Sequence, residues 1–363
     1  MSLDRITGQQ RAKAQISAWF ASGRLPHAVL ITGQEGVGKR RLALELAKAI
    51  NCRQMPGVGC DSCSSCTKAE SLSHPNVHVL LPLPTGVSRS GTDAEQFATI
   101  RETALEYLAG GSMSRSGSNL PKDHILLLQR EMSFAPTEAP KRVAIIFEAD
   151  CMQKAGANSL LKILEEPPRH AVFLLVSAAP DRLLPTVVSR CQRLPLRPLT
   201  ADETRDQLVS GGMSQEQAEL GSRLAEGNRF LPASVAGDDF DRLRQLVERF
   251  IDSALSGRED EYWYLLEDLG GRPDKQKMEG FLGLCSAYLR DLFLIDTSRE
   301  SKVANVDRTP QLAGWSGRVD RRRLAGVAES LDAAFDSQRH NVSPQLLLAD
   351  IWHQLRRSGI VGG

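Results

Sequence analysis

The run Gly33-Gln34-Glu35-Gly36-Val37-Gly38-Lys39 carries the residue types that hold phosphate. Glycines let backbone N–H groups approach phosphate oxygens, the lysine reaches the terminal phosphates, and a helix starting there points its positive end at them. The next position departs from the pattern. A loop that works with Mg²⁺ follows its lysine with Ser or Thr, whose hydroxyl helps hold the cation. Here that place is Arg40, and an arginine cannot ligate a cation. Gly33, Gly36, Gly38, Lys39 and Arg40 therefore read as a site able to hold nucleotide but poorly built to hydrolyse it.

Four cysteines follow, Cys52, Cys60, Cys63 and Cys66, spaced C-x7-C-x2-C-x2-C. Turns of this kind can set four thiolates around a tetrahedral Zn²⁺, which leaves no open position for catalysis, so a structural role is expected. Four of the seven cysteines fall within fifteen residues, which argues against coincidence. Disulfide pairing is the rival, and it is disfavoured in the reducing cytoplasm. The free cysteines and the lack of an export signal near Met1 point to that compartment. His74 and His78 read as surface or core residues rather than ligands.

The elements that must position these groups can be taken from periodicity. Gln9 to Ser22 reads as an amphipathic helix, Val29 to Ile31 as a strand, and Arg41 to Ile50 as a helix burying Leu42, Leu44, Leu46 and Ile50. Strands are expected at 76–81, 141–147 and 171–177. A helix around Asn158 to Glu166 is stopped by Pro167-Pro168. Strands alternating with helices after a phosphate loop imply a parallel, doubly wound sheet whose carboxyl ends gather Gly33, Glu148 and Ser177. Residues 84–121 read as a surface insertion, with a helix from Ala94 to Leu108 and a Gly/Ser-rich stretch from Gly110. Beyond Pro198 the strand pattern gives way to helices, broken at Gly211-Gly212, Gly270-Gly271 and Thr309-Pro310.

A chain of 363 residues exceeds one ordinary core, so two or three domains are expected. With 45 basic and 44 acidic residues, the net charge of +1 advertises neither nucleic acid nor a membrane surface.

The phosphate loop, the four-cysteine module, Asn158-Ser159-Leu160-Leu161-Lys162-Ile163-Leu164-Glu165-Glu166-Pro167-Pro168 and Ser189-Arg190-Cys191 together resemble the bacterial clamp-loader branch of the AAA+ family. The last two are the most diagnostic. The resemblance runs from Asp4 to Thr200 and more loosely beyond. It implies a phosphate-loop α/β domain at 1–198 with a zinc module at 51–67, a helical lid at 199–238 and an all-helical collar at 239–363.

In active members of that branch the strand before the Asn-x-Leu-Leu-Lys helix ends in Asp-Glu, the aspartate ordering Mg²⁺ and the glutamate activating water. Counting back from Asn158 puts Phe147 at the aspartate place and Glu148 at the glutamate place. Arg40 and Phe147 thus remove both protein contacts to Mg²⁺. Acidic Glu148 and Asp150 then read as capping or hydrated groups, with Asp150 an alternative, shifted metal ligand. The resemblance casts Arg190 as an arginine finger acting on a neighbouring subunit's nucleotide, against the plain alternative of an intradomain salt bridge. It also suggests Arg229 and Ser177 as nucleotide sensors. The implied role is a non-hydrolysing member of a hetero-pentameric ring with gamma/tau and delta type subunits, which loads a sliding clamp on primed DNA as part of the DNA polymerase III holoenzyme. The rivals are a gamma/tau type ATPase motor and an unrelated ATP-binding zinc adaptor.

Overall fold

The computed structural model describes residues 2–34, 36–83, 92–108, 119–225, 238–269, 275–295, 303–337 and 343–359. The chain divides into two compact units, residues 1–199 and 200–363.

The first unit is built on β1 (Ala28–Thr32), β2 (Val77–Leu80), β3 (Arg142–Ile146), β4 (Ala171–Ser177) and β5 (Gln192–Pro195). They form one sheet in the order β2-β3-β4-β1-β5, and every pairing is parallel. Parallel strands require crossovers that cover the faces, so their central members are apolar along their length. Accordingly β3 and β4 are buried from end to end. The chain leaves β1 for one side of the sheet and leaves β4 for the other, the reversal at which ligands bind in such sheets.

Around the sheet lie α1 (Gln10–Ala21), α2 (Lys39–Asn51), α3 (Ser64–Glu70), α4 (Asp93–Leu108), α5 (Lys122–Ser133), α6 (Lys154–Glu165) and the short α7 (Pro185–Val188). Helix α6 starts four residues earlier than the motif suggests and stops before the double proline, as expected. Two findings differ from the sequence reading. Strand β5 was not foreseen, because Gln192, Arg193 and Pro195 are exposed and only Leu194 is buried. Helix α4 does not ride on the surface: Ile100, Ala104 and Tyr107 are buried and Phe97 packs on the core. The rest of that segment, 84–91 and 109–118, lies outside the described residues.

The second unit contains α8 (Ala201–Ser210), α9 (Gln215–Ala225), α10 (Asp238–Ser256), α11 (Glu259–Asp268), α12 (Lys275–Leu294), α13 (Thr309–Ser316), α14 (Arg321–Ser337) and α15 (Pro344–Ser358). Thr200 opens it with a reciprocal cap: its hydroxyl accepts from Glu203 N at 3.3 Å and its N–H donates to the Glu203 carboxylate at 3.0 Å. Thr309-Pro310 begins α13 instead of breaking a helix, since proline in the first turn gives up only an N–H that has no partner there. Leu220 and Leu224 of α9 pack into the same apolar core as α10 to α15, so the expected lid and collar share one core. Among the described residues, no helix is long and apolar enough to cross a membrane.

Candidate functional site

The glycine loop connects β1 to α2. Gly36 and Gly38 sit at φ 81° and 88°, where a side chain is strained. At Gly33 a Cβ would stand 2.7 Å from the Leu196 carbonyl oxygen. Lys39 is 5% exposed and its Nζ donates to the Gln34 carbonyl at 2.6 Å, bending back over the loop. Gln9 clasps the loop to the chain after β5, its Nε2 donating to Val37 O at 3.4 Å and Arg197 O at 2.7 Å.

Arg40, the second residue of α2, meets two partners from elsewhere. Its guanidinium carbon lies 3.5 Å from the centroid of the Tyr107 ring, a cation–π stack, and a nitrogen lies 3.8 Å from Glu148 Oε1. The Tyr107 hydroxyl donates to that same carboxylate oxygen. Phe147 is fully buried and meets the Tyr107 ring edge-on at 5.8 Å between centroids. Glu148 holds a left-handed φ of 47°, a conformation that costs a non-glycine residue about 1–3 kcal/mol and must be imposed by its surroundings.

A phosphate-loop fold implies Mg²⁺, and these residues do not fit it. The hydroxyl place is a guanidinium, the aspartate place is a phenyl ring, and the remaining carboxylate is engaged by Arg40 and Tyr107. Asp150 Oδ1 accepts from Ser177 Oγ at 2.7 Å, and that Oγ accepts from Ala179 N at 3.1 Å. Ser177 does stand beside Thr32 of β1, so the carboxyl ends converge as the sequence implies. Arg229 lies outside the described residues.

Tyr107 is the residue that sequence reasoning missed. Its signal was the i, i+4, i+7 spacing of Ile100, Ala104 and Tyr107, which marks the inward face of α4.

Arg190 lies two residues after α7. It donates to the Thr186 carbonyl at 3.0 Å and to Glu165 Oε1 at 2.7 Å, and about a third of its side chain is exposed. Glu165 is the last residue of α6, so the two motifs of the sequence meet here.

Cys52, Cys60, Cys63 and Cys66 bring their four sulfurs within 4.8 Å of one another. Sγ of Cys52 lies 3.9 Å from that of Cys63, and Sγ of Cys60 lies 4.0 Å from that of Cys66. A disulfide would need about 2.05 Å, whereas a tetrahedron with metal–sulfur bonds of about 2.3 Å has edges of about 3.8 Å. The donor set fits a closed four-sulfur metal site. Hydrogen bonding from Ser62 holds the Cys60 thiol down to about 6, and burial pushes Cys66 up to about 12. A cation among the sulfurs would favour thiolate at all four. His74 bonds Ser65 and the Asn76 N–H, and His78 bonds Arg142; neither joins the cluster.

A buried charge network ties this module to the loop helix. Lys48 of α2, 1% exposed, lies 2.5 Å from Asp61, 2.7 Å from Glu70 and 3.0 Å from Glu45, while Arg41 reaches both Glu45 and Glu70. Burial opposes charge on Glu70, yet bonds from Arg41 and Lys48 hold its carboxyl down to about 2. Helix α2 thus carries the phosphate loop at one end and the cysteine module at the other.

A parallel sheet in this order, with a glycine–lysine loop after β1 and a trailing helical unit, defines a phosphate-loop protein of the AAA+ class. A solved Thermotoga maritima protein related to the DNA polymerase III gamma subunit shares the fold, with a TM-score of 0.51 and 15% identity over 95% of this chain and 99% of that one. A family model described as "DNA polymerase III, delta subunit" matches residues 8–200. DNA polymerase III subunit delta' of Bacillus subtilis is 30% identical over 286 residues, 78% of this chain and 77% of that protein. The chain belongs to the delta-prime family of DNA polymerase III subunits. It is also similar to the gamma/tau subunit of Mycobacterium tuberculosis, with 32% identity over 197 residues, 54% of this chain and 28% of that longer protein.

Proposed function

We propose that this chain is the stator of a clamp loader, a delta-prime subunit that does not hydrolyse ATP and lends Arg190 to a neighbouring ATPase subunit. The observation that carries the reading is a contrast in placement. Arg40 is stacked on Tyr107 and paired with buried Glu148, whereas Arg190, exposed to the same degree, is paired with an exposed glutamate. An exposed ion pair is worth about 0–1 kcal/mol, so Arg190 can exchange Glu165 for a partner's γ-phosphate at little cost. Arginine fingers supplied in trans contribute on the order of 10³ to 10⁵ in rate. The partners are gamma/tau and delta type subunits in a hetero-pentameric ring that acts on a sliding clamp and primed DNA.

The cysteine cluster holds Zn²⁺ as a structural ion in this reading. Elemental analysis is expected to return about one zinc per chain, and Cys63→Ser to lower stability by several kcal/mol in urea unfolding, with roughly this scale set by structural zinc sites. An apoprotein that unfolds like the native chain would remove the structural role.

The deciding experiment is Arg190→Ala in a reconstituted assembly. ATP turnover by the neighbouring subunit should fall by about three orders of magnitude while the melting temperature of the isolated variant stays unchanged. Full turnover and full clamp loading would overturn the role. Brisk turnover by the isolated chain, abolished in Lys39→Ala, would favour the motor alternative.

A further inference from the structure

We propose that Arg40 stands in for the divalent cation, so that the loop takes the phosphates of a nucleoside di- or triphosphate free of Mg²⁺. The misfit between this site and Mg²⁺ is the basis of the inference. It rests on the reading that the loop holds nucleotide without turning it over.

Three placements support it. Arg40 occupies the chain position whose side chain would otherwise touch the ion, directly after Lys39. Its guanidinium is held from two sides, by the Tyr107 ring at 3.5 Å and by Glu148 at 3.8 Å. The Tyr107 hydroxyl in turn fixes the Glu148 carboxylate. A fixed positive group beside a phosphate cradle is preorganised, so little ordering is lost when an anion arrives. Guanidinium also matches phosphate geometry with paired N–H donors.

The arrangement reverses the usual dependence on metal. A nucleotide that brings Mg²⁺ with it would set the ion against the guanidinium, like charge on like charge, with no oxygen from Arg40 or Phe147 to receive it. The free nucleotide meets the cationic Lys39 and Arg40, the latter steadied by Glu148, and the N–H groups of the loop. Tyr107 is a positioning residue in this scheme: it acts on phosphate only through Arg40 and Glu148.

The test is equilibrium binding of a fluorescent ADP or ATP analogue to the purified full-length chain, in chelator and in excess Mg²⁺. The ratio of the two affinities is the readout, because a general loss of folding would not change its sign. The wild-type chain should bind at least as tightly in chelator as in Mg²⁺. Arg40→Ala should weaken chelator binding about tenfold, the scale of one charge-assisted contact. Arg40→Ser should shift the ratio toward Mg²⁺, Tyr107→Leu should shift it part of the way, and Arg40→Lys should keep the wild-type sign.

Wild-type binding that tightens tenfold or more with Mg²⁺ would overturn the inference, as would no binding in either condition or a ratio unmoved in Arg40→Ala. None of those results disturbs the stator reading, which fails instead on turnover by the isolated chain or on an inert Arg190→Ala.

Discussion

Arg40 and Arg190 are the same side chain with the same kind of partner, and they illustrate opposite uses of it. By distance alone Arg190 is the better paired, at 2.7 Å from Glu165 against 3.8 Å for Arg40 and Glu148. Burial reverses the order. The two arginines are exposed alike, at 36% and 35%, but the Glu148 side chain is 5% exposed and Glu165 is 49% exposed, so water screens the second pair from both partners and the first from one. An aromatic ring adds to the first and, among the described residues, has no counterpart at the second. A motif names the residue; the depth of its partner decides whether it is a fixture or free to be handed to another molecule.

The contrast can be broken at its support. Tyr107 is carried by α4, whose Phe97 rests at 5.6 Å on the ring of His78 in β2. Burial first, and then the Arg142 charge, push the His78 pKa down to about 4. The unfolded chain protonates near 6.5 and the folded one resists, so this stability is complete above about pH 6.5 and is lost as pH falls toward 4. The loss approaches about 3 kcal/mol, from 1.36 kcal/mol per unit over the 6.5-to-4 interval. Urea unfolding across that range should show it, and His78→Gln should flatten it. If the Arg40 stack depends on α4, the quenching of Tyr107 should change in the same interval while the Arg190 pair stays as it was.

Single substitutions should sharpen the difference. Removing one member of a buried pair costs about 3–5 kcal/mol; since Arg40 keeps 36% of its side chain in solvent, Glu148→Ala is expected to cost about 2 kcal/mol by that scale. The left-handed strain at position 148 stays in the alanine variant, since only glycine would relieve it, so it does not enter the difference. Glu165→Ala should cost under about 1 kcal/mol, leaving the neighbour's turnover near its full rate. Equal costs at the two sites, measured by chemical denaturation, would mean that burial is not what separates them.

Much of this was legible in the chain. The loop, the cysteines and the long apolar runs announce themselves because one local rule governs each: glycines for close approach, thiols at turn spacing, buried parallel strands. What stayed hidden depends on distant partners. Helix α4 could be read from its periodicity, but nothing local says that Tyr107 ends against Arg40, sixty-seven positions earlier. The pairing of Arg190 with Glu165 joins two recognisable motifs through α6 and α7, and neither motif reveals it alone. Strand β5 escaped because an edge strand needs only one inward residue, here Leu194. Helix α13 escaped because proline was given its usual meaning as a breaker.

The sheet's two edges carry a practical lesson. At one end β5 closes the order with exposed polar residues and Pro195, features that discourage another strand from docking. At the other end β2 is short and apolar, and α4 packs against it. Trimming 84–121 as a dispensable loop would remove α4 and expose the apolar side chains it covers to every other copy in the tube. A shortened version made for convenience would therefore be the one that clumps.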